Sequence, residues 1–335
     1  MRYKQYNNTD LKTSVVGIGT WPMSNIFWGK TEEKDCLATL NEALDCGINL
    51  IDTAPCYGDG RTEKLIAQVM KGRNREDVVI STKCGLYRNM GYEFCNDLRP
   101  IAVRKEIEGS LKRLNTDYID VYFIHKPDPE TPLEVTFKVL TELKAEGKFK
   151  YLGVSNFDFD LLEKAAMLHT NEPDVYARVD FIQPRYSLLS RESEFMNKAA
   201  RYHGIGVMSF GSLDGGILTG KFKEPPKFNA DDMRGNFYHY FTEPNFSKCK
   251  ALLEVLEQIA QAHDAPVGQV AINWVAQQDF ISTTLVGAKT PAQIRQNAEA
   301  GNWELTQAEM TAIDDAYVRI FGAVDSDYTH GCKRK

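Results

Sequence analysis

With 335 residues, 43% of them hydrophobic and 26% charged, the chain can bury a large core and still wet its surface, which excludes disorder and collagen-like repeats. Forty basic against 46 acidic residues leave a net charge of -6, which repels a phosphate backbone, and no run approaches the roughly 18 uncharged apolar residues of a membrane span. Seven cysteines without a C-x-x-C pair indicate neither a disulfide framework nor a zinc ribbon, and the polar start MRYKQYNNTD lacks a signal-peptide apolar block, so the cytoplasm is the expected compartment.

In chain order, the alternating stretch YKQYNNTDLKTSV (3–15) reads as a hairpin that closes a barrel floor. Eight short β-branched runs follow: VVGIGT (15–20), NLIDTA (49–54), VVISTK (78–83), VYFIHK (121–126), YLGVSN (151–156), FIQPRY (181–186), GVMSFG (206–211) and TTLVGA (283–288). Between them lie amphipathic stretches such as EKDCLATLNEALDCG and IAVRKEIEGSLKRL, with apolar residues every three or four positions. Strand and helix alternating without a linker point to a closed parallel barrel. A doubly wound sheet would carry G-x-G-x-x-G after its first strand, where this chain reads GIGTWP. Residues 212–247 are too long and too rich in Gly, Pro and aromatics for a plain connection and read as a loop over the functional face. The whole chain, 1–335, reads as one barrel domain with an extra C-terminal helix and a tail at 321–335.

In such barrels the chemistry sits at the carboxyl ends of the strands. The second strand ends in Asp52, with Tyr57 just beyond it, the third ends in Lys83, and the fourth brings His125 to its end. Singly, each has an ordinary reading as a helix cap, loop packing, a snorkelling lysine or a satisfied core histidine. Together, four ionisable groups from three adjacent strands converge on one mouth. There a lysine ammonium beside a tyrosine stabilises the phenolate and lowers a pKa normally about 10, so that Tyr57 donates a proton near neutrality. Asp52 orients Lys83, and His125 positions a substrate oxygen. Ser155, Asn156 and Gln183 suit a carboxamide, Phe210 suits stacking on a nicotinamide, and GSLDGGILTGKF offers backbone N–H groups and Lys221 for a pyrophosphate.

The segments DTAPCYGDGRTEKLI, VISTKCG, SLKRLNTDYIDVYFIHKPDP, GKFKYLGVSNF, IQPRYSLL, GGILTGKF and VGAKTPAQIRQNAEA together resemble the aldo-keto reductase superfamily, in order and over nearly the whole chain. The resemblance implies a (β/α)8 TIM barrel that binds NADP(H), with NAD(H) as the alternative, and reduces an aldehyde or ketone to an alcohol. It implies Asp52, Tyr57, Lys83 and His125 as the catalytic tetrad, with Tyr57 the general acid. Ser155, Asn156 and Gln183 match the nicotinamide-amide contacts and Phe210 the stacking position. Gly19, Thr20, Trp21 and Asp52 match the pocket edge, Leu213 and Lys221 the pyrophosphate loop, and Asn297 an adenine contact.

Three departures bear on specificity. Lys126 follows His125 where relatives often carry Trp, so it either reads a polar substrate or, by strand alternation, faces outward. The 2′-phosphate segment carries Gly287, Ala288 and Gln293 in place of the commoner Lys, Ser and Arg, leaving Lys289, Arg295 and Arg234 as the basic candidates. The strand-seven end SFGSL makes Gly211 and Ser212 a looser entry to the following loop. Tyr87, Phe94, Phe237, Tyr238 and Tyr240, with Arg88, Asn89 and Asn96, suggest a hydroxylated or sugar-like carbonyl. Two rival readings stand: a Schiff-base aldolase using Lys83, and a cofactor-binding regulatory subunit with little turnover. A metal site is not expected, since of six histidines only His125 stands at a strand end.

Overall fold

The computed structural model describes residues 1–6, 8–89, 93–229 and 231–322. Strands β1 (Tyr3–Gln5) and β2 (Lys12–Ser14) pair antiparallel as the expected N-terminal hairpin. Then β3 (Val16–Gly19), β4 (Leu50–Asp52) and β5 (Val79–Cys84) alternate with helices Glu33–Asp45 and Arg61–Val69. A second hairpin, β6 (Leu86–Arg88) with β7 (Phe94–Asn96), occupies what the sequence presents as a loop. Its three-residue strands are too short to show a period, and residues 90–92 between them lie outside the described residues. Strands β8 (Ile119–Ile124), β9 (Phe149–Ser155), β10 (Val179–Gln183), β11 (Gly206–Phe210) and β12 (Thr283–Gly287) complete the set.

The eight long-range strands, all parallel, close in the order β10-β11-β12-β3-β4-β5-β8-β9, and each falls on one of the eight runs read from the sequence. The fold is therefore a (β/α)8 TIM barrel. The extra C-terminal helix, Gln307–Phe321, starts from a capping box in which Thr306 and Glu309 satisfy each other's backbone N–H. Most of the tail, 323–335, lies outside the described residues. No helix among the described residues is long and apolar enough to cross a membrane.

Strand alternation sorts two cores. Ile51, Ile80, Tyr122, Ile124, Ile182, Val207 and Val286 face outward into the shell shared with the helices. Leu50, Val79, Val121, Phe123, Phe181, Met208 and Leu285 fill the barrel interior, and Tyr6 and Leu11 from the N-terminal hairpin plug it from below. Tyr6 meets Phe181 edge-on at 4.8 Å between ring centres, a contact worth about 0.5–1.5 kcal/mol beyond its burial. Phe123 fits because Gly153 opposite it has no side chain: a Cβ there would lie 2.2 Å from the ring.

The long β11 loop is not featureless. It contains turns at Asp214–Thr219 and His239–Phe241 and a short helix, Arg234–Phe237. It crosses to the loop after β3, where Trp28 and Asp232 form a bridge and Met233 N–H donates to Phe27 O at 2.8 Å. Lys289 Nζ donates to Trp28 O at the same junction.

Candidate active site

The same alternation aims the functional side chains. Asp52 follows Leu50 by two residues, Ser81 and Lys83 follow Val79, His125 follows Phe123, Ser155 follows Gly153, and Gln183 follows Phe181. Each continues an inward-facing row to the carboxyl end of its strand, one layer above the apolar plug. Tyr57 reaches the same layer from the turn after β4, closed by Tyr57 N–H to Ala54 O at 3.0 Å.

At the centre, Lys83 Nζ donates to both oxygens of Asp52, at 2.9 and 2.8 Å, and to Thr53 O at 2.9 Å. Lys83 is 0% exposed and Asp52 3%, so this is a dry ion pair. Ser81 Oγ and Gln183 Nε2 each donate to Asp52 Oδ1 at 2.8 Å, so the carboxylate gathers donors from two strands, β5 and β10. Removing water strengthens these bonds and makes any unpaired member costly. Lys83 has three ammonium hydrogens and three acceptors, which leaves no idle amine of the kind a Schiff-base nucleophile presents.

Tyr57 lies above this pair, its ring centre 5.2 Å from Lys83 Nζ and 5.8 Å from the His125 ring, with the two rings at 84°. The Trp21 ring stacks on Tyr57 at 6.2 Å. The four groups thus share one mouth, but only Asp52 and Lys83 bond directly. The expected lowering of the tyrosine pKa is not found. Burial, reinforced by the Asp52 charge, pushes the Tyr57 hydroxyl well above its usual range; the hydrogens of Lys83 go to Asp52 and Thr53. Burial, then the Lys83 and Lys126 charges, pushes His125 well below the usual histidine range, so the imidazole is neutral at physiological pH. Lys126 itself is exposed, one residue out of step with the inward row.

The remaining strand ends border this centre. Gly19 pairs with Asp52 in register, and buried Thr20 donates its hydroxyl to Asp52 O at 2.9 Å. Ser155 Oγ donates to Gln183 O at 2.8 Å. Asn156 turns back in a left-handed conformation (φ 56°) and donates to His125 O at 2.8 Å. Phe210 is partly buried over the plug, and Gly211 (φ 82°) starts the crossing loop, with Leu213 against the outer core. Gly287 is exposed at the end of β12; Asn297 Nδ2 donates to its carbonyl at 3.5 Å, and Gln293 Oε1 accepts from Lys289 N–H at 2.8 Å.

Three cations gather where the loop crosses. Arg234 donates to Gly215 O at 3.2 Å, a Cβ on adjacent Gly216 would sit 3.3 Å from Lys221 Nζ, and burial with the Arg234 charge pushes both Lys221 and Lys289 down. Asp232 holds the Arg234 guanidinium from two sides, at 2.6 and 2.9 Å. Arg295 does not join them; it pairs with Glu42 at 2.7 Å on the outside of the barrel.

Trp21 also meets Trp28 at 5.4 Å and Phe237 at 5.8 Å, and Phe27 meets Phe94 at 5.4 Å, which gives the mouth an aromatic rim. Two expected rim residues are elsewhere: Tyr238 (3% exposed) and Tyr240 (4%) are buried, the first beneath Arg185 and the second donating to Leu189 O. Asn96 is spent on Pro127 O and Asn89 on Glu93 and Cys95, while Arg88 pairs with Asp59. Sequence reading passed over Ser81 and Arg185. Ser81 was legible, since it stands two before Lys83 on the same row. Arg185, which pairs with buried Asp214 at 2.6 Å, had no local signal.

A parallel barrel with a buried Lys-Asp pair, a phenol and a neutral imidazole at one mouth is built to move a proton to or from a bound oxygen. The family model described as "Aldo/keto reductase family" matches residues 15–318, and the chain belongs to that family of NAD(P)H-using oxidoreductases. It is 36% identical over 322 residues to the aldo-keto reductase YhdN of Bacillus subtilis (strain 168), covering 94% of this chain and 93% of the relative. It is 34% identical over 319 residues to the NADH-specific methylglyoxal reductase of Escherichia coli (strain K12), covering 90% and 94%. Among solved structures, the glycerol dehydrogenase AKR11B4 from Gluconobacter oxydans superposes with a TM-score of 0.86 at 33% identity, over 96% of this chain and 97% of that one.

Proposed function

We propose that this chain reduces a small, oxygen-rich aldehyde or ketone to an alcohol, with Tyr57 as general acid and NADPH preferred over NADH. The observation that carries the reading is a protonated phenol and a neutral imidazole set side by side over a fully buried Lys83-Asp52 pair. Tyr57 Oη donates its proton to the carbonyl oxygen as that oxygen gains charge. The Lys83 ammonium, held in place by Asp52 and Thr53 O, offsets the developing phenolate. His125 fixes the oxygen against Tyr57, and Trp21 limits the depth of the mouth.

A nicotinamide bound here would supply the hydride, and the donor set fits that group. Ser155 and Gln183 end their own inward rows in the same layer as Asp52 and His125, and with Asn156 they offer hydroxyl and amide groups. Lys221, Lys289 and Arg234 lie where a dinucleotide would pass under the crossing loop, with Gly287, Gln293 and Asn297 at its far end. Asp232 competes for Arg234, so the preference for NADPH is shallow. The names of the methylglyoxal reductase and glycerol dehydrogenase relatives support a small, oxygenated substrate. Six free cysteines among the described residues suit a reducing cytoplasm. The same reading treats 1–335 as a single catalytic domain.

Tyr57→Phe tests the proposal: cofactor affinity should hold while turnover on the best carbonyl of a panel falls by at least about 10²-fold. A Tyr57→Phe enzyme with near wild-type single-turnover rates overturns it.

A further inference from the structure

The residue before the tetrad tyrosine touches the tetrad from behind. Cys56 is buried (6% exposed), and its Sγ lies 3.6 Å from His125 Nδ1, within the range of a sulfur hydrogen bond. Among the described residues this is the only hydrogen bond made by the His125 ring. Burial pushes the Cys56 thiol up to about 12, so the sulfur keeps its proton at physiological pH. Burial and the Lys83 charge keep the imidazole neutral.

A neutral imidazole has one N–H and one lone pair, and the bond made by one nitrogen decides which nitrogen carries the proton. A carbonyl oxygen needs a donor. An Nε2 lone pair facing it would repel it, whereas Nε2–H would bond it and add to the pull of the Tyr57 hydroxyl. We propose that Cys56 is a positioning residue, its S–H donating to Nδ1 of His125 and thereby selecting the Nε2–H tautomer that grips the substrate oxygen. The proposal rests on the carbonyl-reduction reading above for its consequence in turnover, but not for the tautomer itself. The turn that places Tyr57 therefore also sets the histidine: Ala54, Pro55 and Cys56 lead into it, and Cys56 is the one side chain in that run with a hydrogen to give.

The test is ¹⁵N NMR of histidine-labelled full-length enzyme loaded with NADP⁺, with His125 assigned by the signals missing from His125→Asn. Wild type and Cys56→Ser, which keeps a donor, should show the Nε2–H pattern. In Cys56→Ala the ratio of Nε2–H to Nδ1–H should fall about fivefold, the scale of one neutral hydrogen bond. kcat for carbonyl reduction should then fall by the same factor as the Nε2–H fraction read from those spectra and recover in Cys56→Ser. The proposal fails if the wild-type proton sits on Nδ1, if Cys56→Ala leaves the signals unmoved, or if the signals move while kcat is unaffected. Tyr57→Phe separates the two ideas: full turnover in that variant ends the reduction mechanism and leaves the tautomer spectra to stand or fall alone.

Discussion

The Lys83-Asp52 pair sets a stability coupling that can be worked from its surroundings. Asp52→Asn removes the countercharge of an ammonium that is 0% exposed, leaving Thr53 O as its remaining strong acceptor. Breaking a buried pair in this way costs about 3–5 kcal/mol. Lys83→Met strands the carboxylate instead, but Ser81 and Gln183 still donate to it at 2.8 Å each. Each bond to a charged group is worth about 1.5–3 kcal/mol, so this cost should lie lower, at about 2–3 kcal/mol. The double variant carries neither uncompensated charge and should be more stable than the two single losses added together imply, by about 2 kcal/mol or more. Urea unfolding followed by circular dichroism, with linear extrapolation for all four proteins, gives the cycle. Additivity within about 0.5 kcal/mol would refute the view that the two charges depend on each other.

The pH profile of kcat/KM for reduction follows from two opposite shifts. His125, held below 6.5, takes up its proton only on the acid side, and Tyr57, held above 10.0, keeps its proton to high pH. Activity should be level between these limits, and an acid limb centred at or above 6.5, or an alkaline limb centred below 10.0, contradicts the assignment. For the cofactor, Lys289→Ala combined with Arg234→Ala should weaken NADPH at least about tenfold and NADH little, since the 2′-phosphate alone supplies the lost charge-assisted bonds. Equal losses in fluorescence titrations of the two cofactors would remove the cations from 2′-phosphate recognition. Gly153→Ala should destabilise the barrel by about 1–3 kcal/mol through overpacking against Phe123, and Phe123→Leu in the same chain should relieve much of that loss in urea midpoints.

Much of this molecule is legible in the sequence because strand periodicity does two jobs at once. The run from Val79 through Ser81 to Lys83 tells both that a strand is present and that the lysine shares a face with the apolar interior. The same holds for Leu50 with Asp52 and for Phe123 with His125. What stayed hidden depends on partners from distant segments. Nothing local says that Thr53 O takes the third Lys83 hydrogen, or that burial beside the Asp52 charge moves the Tyr57 pKa up and not down. Tyr238 and Tyr240 look like rim residues until Arg185 and the Leu189 carbonyl claim them. Arg295 has the right charge at a plausible spacing, but Glu42 on the first helix holds it away from the other cations.

The hairpin that seals the barrel has an effect on traffic. With Tyr6 and Leu11 wedged beneath Phe181 and Met208, the barrel is a well and not a pipe, and its single opening serves arrivals and departures alike. Occupants of a well leave in the reverse of the order in which they entered. Whatever settles nearest Gln183 and Phe210 is therefore last out, since what lies above it must first clear the aromatic rim.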